Sequence, residues 1–248
     1  MTVRVAAVGD LHIGVDGADD VGLDDVEERA DLLLLAGDLT RGGDIEEAKV
    51  LADRLDHIAI PVVAVLGNHD HHAGRVPELV DVLGASGVQV LEGDVTTIHL
   101  GHTTVGIAGA KGFGGGFAGA CATEFGEPEM KAFAGHTRET AEQLGRALEA
   151  LDTDLTIALL HYSPIPETLV GEPLQIHPFL GSYLLAEAID LACPHLAIHG
   201  HAHRGSERGR TPGGVRVRNV ARPVIAERYR VFHLHPESTR DAACAAGA

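Results

Sequence analysis

Positive charge, cysteine and long apolar runs are all scarce in this chain. Lys and Arg number 19 against 36 Asp and Glu, a formal net charge of −17. That balance argues against general nucleic-acid binding, because affinity for a phosphate backbone comes largely from neutralising it with Lys and Arg. The three cysteines, Cys121, Cys193 and Cys244, are odd in number and widely spaced, with no Cys-x-x-Cys pair. Such usage fits free thiols in a reducing compartment and argues against a disulfide framework. No apolar run approaches the roughly 20 residues that cross a bilayer, and the one at Val3–Val8 is too short for a secretory leader. A cytoplasmic protein without membrane contact is the expectation. There is no linker, internal repeat or domain boundary. One domain is therefore expected over residues 1–235, with residues 236–248 a small, polar, frayed tail.

The 248 residues are 45% hydrophobic and 22% charged, which is enough for the full core of a globular fold. Short apolar runs at Val3–Val8, Asp31–Ala36 and Val62–Leu66 read as buried strands, each closing on a glycine. Between the last two, Asp44–Leu55 carries Ile45, Ala48, Leu51, Ala52 and Leu55 at helical spacing, with Asp44 as the cap. This strand–helix–strand order predicts parallel strands. Val76–Leu83 reads as a helix, and Val88–Leu91, Val95–Leu100 and Thr103–Ala108 as strands, the last two a hairpin turning at Gly101-His102. A Gly-rich stretch, Lys111–Ala120, precedes a predicted helix from Thr137 to Leu151 and a strand at Leu155–Leu160. A Pro-rich loop (Ser163–Pro178), a helix (Leu180–Leu191) and strands at Leu196–His199, Val215–Val220 and Tyr229–Leu234 complete the reading.

Four segments concentrate the chemistry. They are Gly9-Asp10-Leu11-His12, Gly37-Asp38, Gly67-Asn68-His69-Asp70 and Gly200-His201-Ala202-His203, with His161 standing before the last. Each follows a predicted strand, and in open α/β sheets ligands bind at the carboxyl ends of strands. A glycine before each Asp or Asn allows a sharp exit from the strand. The donors Asp10, His12, Asp38, Asn68, His161, His201 and His203 are all N or O. With no thiolate among them, the set suits Mn, Fe, Zn or a similar first-row metal. It is also a natural count for two ions sharing one carboxylate, the usual clamp for in-line attack on phosphorus. A lone Gly-Asp after a strand is more often a turn. The weight lies in five ligand-bearing elements falling in order, each at a strand end.

These blocks resemble the calcineurin-like metallophosphoesterase superfamily, whose pattern runs D-x-H, G-D, G-N-H-D/E, a lone His and G-H-x-H. The resemblance covers Asp10 to His203 in the right order. It implies a four-layer α/β/β/α sandwich and two divalent ions, Mn favoured and Fe, Zn or Co as alternatives. By the same resemblance Asp10, His12 and His203 bind one ion, Asn68, His161 and His201 the other, and Asp38 bridges them. His69 is then the general acid that protonates the leaving oxygen, Asp70 orients its ring, and a metal-bridging hydroxide is the nucleophile. The implied activity is phosphoester hydrolysis of small substrates, closest in kind to small bacterial phosphodiesterase-type members. Two divalent ions against two carboxylates leave a locally positive pocket. It would draw in small anions, while the acidic surface disfavours long polyanions. A phosphomonoesterase or a nuclease on the same centre, or a non-catalytic scaffold, are the alternatives. The nuclease lacks a basic surface here, and scaffold relatives tend to lose the histidine that is present as His69.

Other residues carry two readings each. The Gly-Asp block departs from the common pattern by running Leu39-Thr40-Arg41-Gly42, so Arg41 is a phosphate contact or a solvated residue before the next helix. Tyr162 and Ser163 line the pocket or only shape the turn before Pro164. The Lys111–Ala120 loop is a substrate lid, with Phe113 and Phe117 free to stack, or a surface loop. His71 and His72 read as solvated, His199 as a satisfied interior histidine, and Arg204, Arg208 and Arg210 as a solvated loop. A homodimer is left open, through the hairpin at Gly101 or the helix near Leu144.

Overall fold

A computed structural model describes residues 2–14 and 21–236 of the chain. From residue 237 onward, the expected tail lies outside the described residues. One sheet is built on β1 (Val3–Val8), β2 (Leu32–Ala36), β3 (Val62–Val65) and β4 (Val88–Val90), parallel neighbours in that order. The helices α1 (Val26–Arg29), α2 (Ile45–Leu55) and α3 (Val76–Ala85) lie in the crossovers. All five residues of β2 are buried, as a parallel strand covered on both faces requires. The start of α2 is fixed by a capping box. Asp44 accepts the Glu46 N–H at 2.8 Å, and Glu47 reaches back to the Asp44 N–H at 3.4 Å.

The chain then forms the hairpin β5 (Asp94–Leu100) and β6 (Thr103–Ala110), turning at Gly101-His102 as expected. A short ribbon, β7 (Gly116–Phe117) and β8 (Ala120–Cys121), lies within the Gly-rich stretch. Helix α4 (Pro128–Glu149), strand β9 (Leu155–Leu160), and helices α5 (His177–Leu180) and α6 (Tyr183–Ala192) follow. Last come β10 (Leu196–His199), β11 (Arg208–Arg210), β12 (Arg216–Asn219), α7 (Arg222–Ile225) and β13 (Arg230–Leu234). The second sheet has the order β11-β12-β10-β9-β6-β5, while β13 returns antiparallel to β1 on the first.

Period-2 alternation in the second sheet decides the layering. Val105, Ile107, Leu155, Ile157, Leu159, Leu196 and Ile198 face the first sheet and share one core with β1, β2 and β3. Their neighbours Ala108, Ala110, Ala158, Leu160 and Ala197 face the other way, against Leu144, Leu148, Leu185 and Ile189 of α4 and α6. Leu51, Leu55, Leu79 and Leu83 of α2 and α3 cover the first sheet. The result is the four-layer α/β/β/α sandwich, a single domain.

Three expectations need correcting. Helix α4 starts at Pro128 rather than Thr137. Its first turns bury only Ala134, so they show no apolar period, although a Pro at the first helical position marks the start. The helix expected from Leu180 begins at Tyr183, where Ser182 caps it, and α5 occupies the end of the supposed loop. Cys193 is disulfide-bonded, against the expectation of free thiols, while Cys121 is free.

Candidate metal centre

Every expected ligand lies just past a strand at the edge where the carboxyl ends of β1, β2, β3, β9 and β10 meet. Asp10, His12, Asp38 and His201 adopt left-handed backbone angles, φ 62°, 48°, 49° and 69°. Non-glycine residues pay about 1–3 kcal/mol for such geometry, and it persists only where the surroundings enforce it. The enforcement is a lattice of bonds between loops. The Asp10 N–H donates to Gly37 O (2.9 Å), His12 N–H to Asp38 O (3.0 Å), and Gly200 N–H to His161 O (3.2 Å). The His69 N–H donates to Asp38 Oδ1 at 2.8 Å, and His201 N–H to Asp10 Oδ2 at 2.9 Å.

Gly37, at φ 80°, makes the sharp strand exit that was expected. Gly67 and Gly200 act differently, because there the sharp turn is not in the glycine. A Cβ at Gly67 would land on the Asp38 carboxylate and amide, and one at Gly200 on the Asp10 carboxylate. Glycine here makes room for the ligand of a neighbouring loop, and the unusual backbone falls on the ligands themselves.

Three groups of side chains could each hold a cation: Asp10, His12 and His203; His12, Asp38 and His69; Asp38, His161 and His201. They overlap through His12 and Asp38, so they form one continuous array. His203 Nε2 lies 2.8 Å from Asp10 Oδ1, His161 Nε2 3.4 Å from Asp38 Oδ1, and His12 Nε2 3.8 Å from Asp38 Oδ2. Asp10, Asp38 and His161 are buried, His12, Asn68, His69 and His201 half-buried, and His203 exposed. The array therefore opens to solvent on the His203 side.

Two observations test whether this set fits metal ions. The buried Nε2 of His12 has no hydrogen-bond partner. His161 Nδ1 donates to the carbonyl of Ala36 at 2.9 Å, so in the neutral ring Nε2 is an acceptor, and it faces Asn68 Oδ1 at 3.1 Å. Lone pairs converging on one another, with a carboxylate beside them, are what a cation resolves. The residues fit.

The electrostatics agree. Burial pushes His161 and His201 down to about 3 and lowers His12, so all three are neutral at pH 7, the form in which imidazole can bind a metal. Burial pushes Asp10 up to about 6, held back by its bond to His203, whose own pKa that bond raises. A cation would displace the proton these two share.

The structure assigns Asp70 a different place from the one the resemblance implied. It is His69 Nδ1 that donates to the carbonyl of Arg41, at 2.7 Å. The fully buried Asp70 carboxylate instead accepts from Leu39 N (3.1 Å) and Gly67 N (2.8 Å) on one oxygen. On the other it accepts from Thr40 N (2.8 Å) and Thr40 Oγ1 (2.6 Å). It ties the exit of β2 to the exit of β3. Arg41 lies at the mouth: its guanidinium covers Gly14, and its charge lowers the pKa of His12. The ring of Tyr162 is buried 4.3 Å from that of His201. His199 is satisfied as expected, bonded to Gly200 O at 2.7 Å and Thr168 Oγ1 at 2.9 Å. His72 is exposed, 4.6 Å from His69 ring to ring. His71 is not solvated, because its Nε2 is buried. Lys111, read only as the start of a Gly-rich loop, sits beside Tyr162 at the same edge. Its position at the end of β6, beside the strand carrying His161, follows from the sheet order and left no signal in the sequence.

A two-sheet sandwich with Asp and His converging at one edge is the framework of a metal-dependent phosphoesterase. The chain belongs to the calcineurin-like phosphoesterase family, whose model matches residues 3–205. Members are metal-dependent hydrolases of phosphoesters. Phosphopantetheinyl hydrolase from Mycobacterium tuberculosis is similar in fold: TM-score 0.66 at 16% identity, over 92% of this chain and 95% of that one. TT1561 of Thermus thermophilus gives TM-score 0.55 at 16% identity, over 96% of this chain and all of that one. A putative 5'-nucleotidase from Staphylococcus aureus gives 0.57 at 18% identity, over 88% of this chain and 48% of that one. No curated protein matches the chain at a significant level. Among the described residues no helix is long and apolar enough to cross a membrane.

Proposed function

We propose that the protein is a dinuclear metal-dependent hydrolase of small phosphoesters, with phosphodiesters favoured. The observation that carries this reading is the overlap of three ligand groups through His12 and Asp38, which together offer more donors than one first-row ion takes. Asp10, His12 and His203 would hold one ion and Asn68, His161 and His201 the other, with Asp38 serving both. Manganese is the favoured metal. When bound, the ions supply Lewis acidity and make a water acidic enough to attack near neutral pH.

The protein supplies the rest. The Arg41 carbonyl accepts a hydrogen bond from Nδ1–H of His69, which leaves Nε2 turned into the centre, 3.9 Å from Asp38 Oδ2. From that atom a protonated His69 delivers a proton to the departing alcohol oxygen. Asp70 keeps Asp38 and Asn68 in register through the loops it ties together. Arg41 offers a cation to the phosphoryl oxygens at the open side, and Tyr162 walls the pocket behind His201. The net charge of −17 keeps long polyanions away. The diester preference rests on the resemblance to small bacterial phosphodiesterase-type members, since the ligand blocks themselves do not decide between diester and monoester.

The test is hydrolysis of bis-p-nitrophenyl phosphate and p-nitrophenyl phosphate by manganese-loaded protein. Diester turnover is expected to be the faster and to fall about 10²–10⁴-fold in His69→Ala with metal content unchanged. Silence on both esters in metal-loaded protein would refute the hydrolase and favour a scaffold.

A further inference from the structure

The row of strand ends that carries the ligands continues one strand further on each sheet. Strand β4, beside β3, leads to Glu92, and β6, beside β9, leads to Lys111 in register with His161, since Ala110 pairs with Leu160. The Lys111 main chain is locked in place, its carbonyl accepting the N–H groups of His161 and Tyr162, both at 3.0 Å. Its Nζ lies 5.2 Å from the ring centre of Phe113 and 5.4 Å from that of Tyr162. The Tyr162 ring in turn packs on His201. Lys111 is only half-buried, so solvent reaches it. Burial pushes its ammonium below the ordinary range, and the nearby carboxylates of Glu92 and Asp38 push back.

His71 stands on the turn after β3. Burial first, then the charge of Lys111, lowers its pKa, Asp38 opposes this, and its buried Nε2 has no hydrogen-bond partner. Buried polar atoms without partners are rare and call for an explanation. A lysine next to a divalent-metal site is repelled by the ions, so packing alone is a poor reason for it. An apolar chain would fill the gap between Phe113 and Tyr162 without that cost.

We propose that Lys111 and His71 form an oxyanion-binding subsite on the flank of the metal centre, taking an oxygen of the substrate's phosphoryl group. The inference rests on the phosphoester reading and adds two residues that the ligand pattern leaves out. A phosphoryl oxygen placed there would receive a charge-assisted bond from Nζ and satisfy His71 Nε2 as its donor.

The probe is inorganic phosphate, bound to the manganese-loaded full chain and followed by calorimetry, with metal content measured in each sample. Lys111→Met is expected to weaken phosphate binding about 10–100-fold, the loss of one charge-assisted bond. Lys111→Arg should restore most of it, and His71→Leu should weaken it in the same direction. Lys111→Gln is a second neutral variant should the methionine disturb folding. Phosphate binding within twofold of wild type in both neutral variants overturns the subsite, as does an arginine variant that folds but binds as weakly as they do. If no ester is hydrolysed yet phosphate binding depends on Lys111, the hydrolase reading fails and the subsite stands. If esters are hydrolysed and phosphate binding ignores Lys111, the reverse holds.

Discussion

Replacing Asp70 by Asn separates a structural clamp from a catalytic partner of His69. The carboxylate accepts four hydrogen bonds, two on each oxygen, from Leu39, Gly67 and Thr40. An asparagine that keeps its oxygen toward Leu39 and Gly67 retains those two bonds, without the charge that strengthens them. Its NH₂ then faces Thr40, whose hydroxyl can turn to accept but whose buried N–H is left alone. One orphaned backbone donor costs about 1–3 kcal/mol, and losing charge assistance on two bonds costs roughly another 1–2. Relief from burying a charge, seen in the rise of Asp70 to about 6, offsets part of this. The net loss is about 2–4 kcal/mol, or roughly 5–15 °C in Tm for a chain of this size. Thermal and urea unfolding of metal-free protein measure it, alongside the pH–rate profile of loaded protein. Because Arg41 O holds the His69 ring, the limb of the profile that belongs to His69 should not move. A variant as stable as wild type within about 0.5 kcal/mol, with that limb displaced, would show that Asp70 acts on His69 after all.

Two further outcomes follow from the same geometry. Gly67→Ala forces a Cβ onto the Asp38 carboxylate and amide. It should cost about 1–3 kcal/mol in unfolding experiments and reduce manganese affinity at least tenfold, whereas Gly84→Ala, in α3, has open space around it and should leave metal binding intact. The pH dependence of metal-free stability has a definite sign. Burial holds His161 and His201 near 3 and His71 and His199 near 4, so between about 4 and 6.5 the unfolded chain binds protons that the folded chain refuses. Asp10 and Asp70, raised to about 6, and Glu92, raised to about 7, oppose this in the same window. Four groups with the larger shifts outweigh three, so Tm should fall as pH falls from 6.5 toward 4. A flat or rising Tm would contradict the burial of these histidines in neutral form.

The sequence showed the parallel strands clearly, because runs such as Leu32–Ala36 must be covered on both faces and carry no other period. It marked the candidate metal centre for a related reason: each candidate donor stands just behind such a run, and strand ends converge. What it hid depends on contacts between distant segments. The first turns of α4 are exposed and print no pattern. Whether Asp70 reaches the ring of His69 or the loop at Thr40 is a matter of side-chain direction, which adjacency in the chain does not reveal. Lys111 and His71 looked like loop residues because their neighbours come from β9 and β3 and are invisible in local spacing. The crowding around Gly67 and Gly200 likewise belongs to other loops.

The most direct test of the shared-ligand array is metal stoichiometry after reconstitution with manganese, measured on wild type, Asp10→Ala and Asp38→Ala with folding checked by circular dichroism. The account predicts two ions per chain in wild type, one in Asp10→Ala, and less than one in Asp38→Ala, because Asp38 serves both sites. A wild type that binds one ion or none, or an Asp38→Ala that still holds a full ion as Asp10→Ala does, would contradict it.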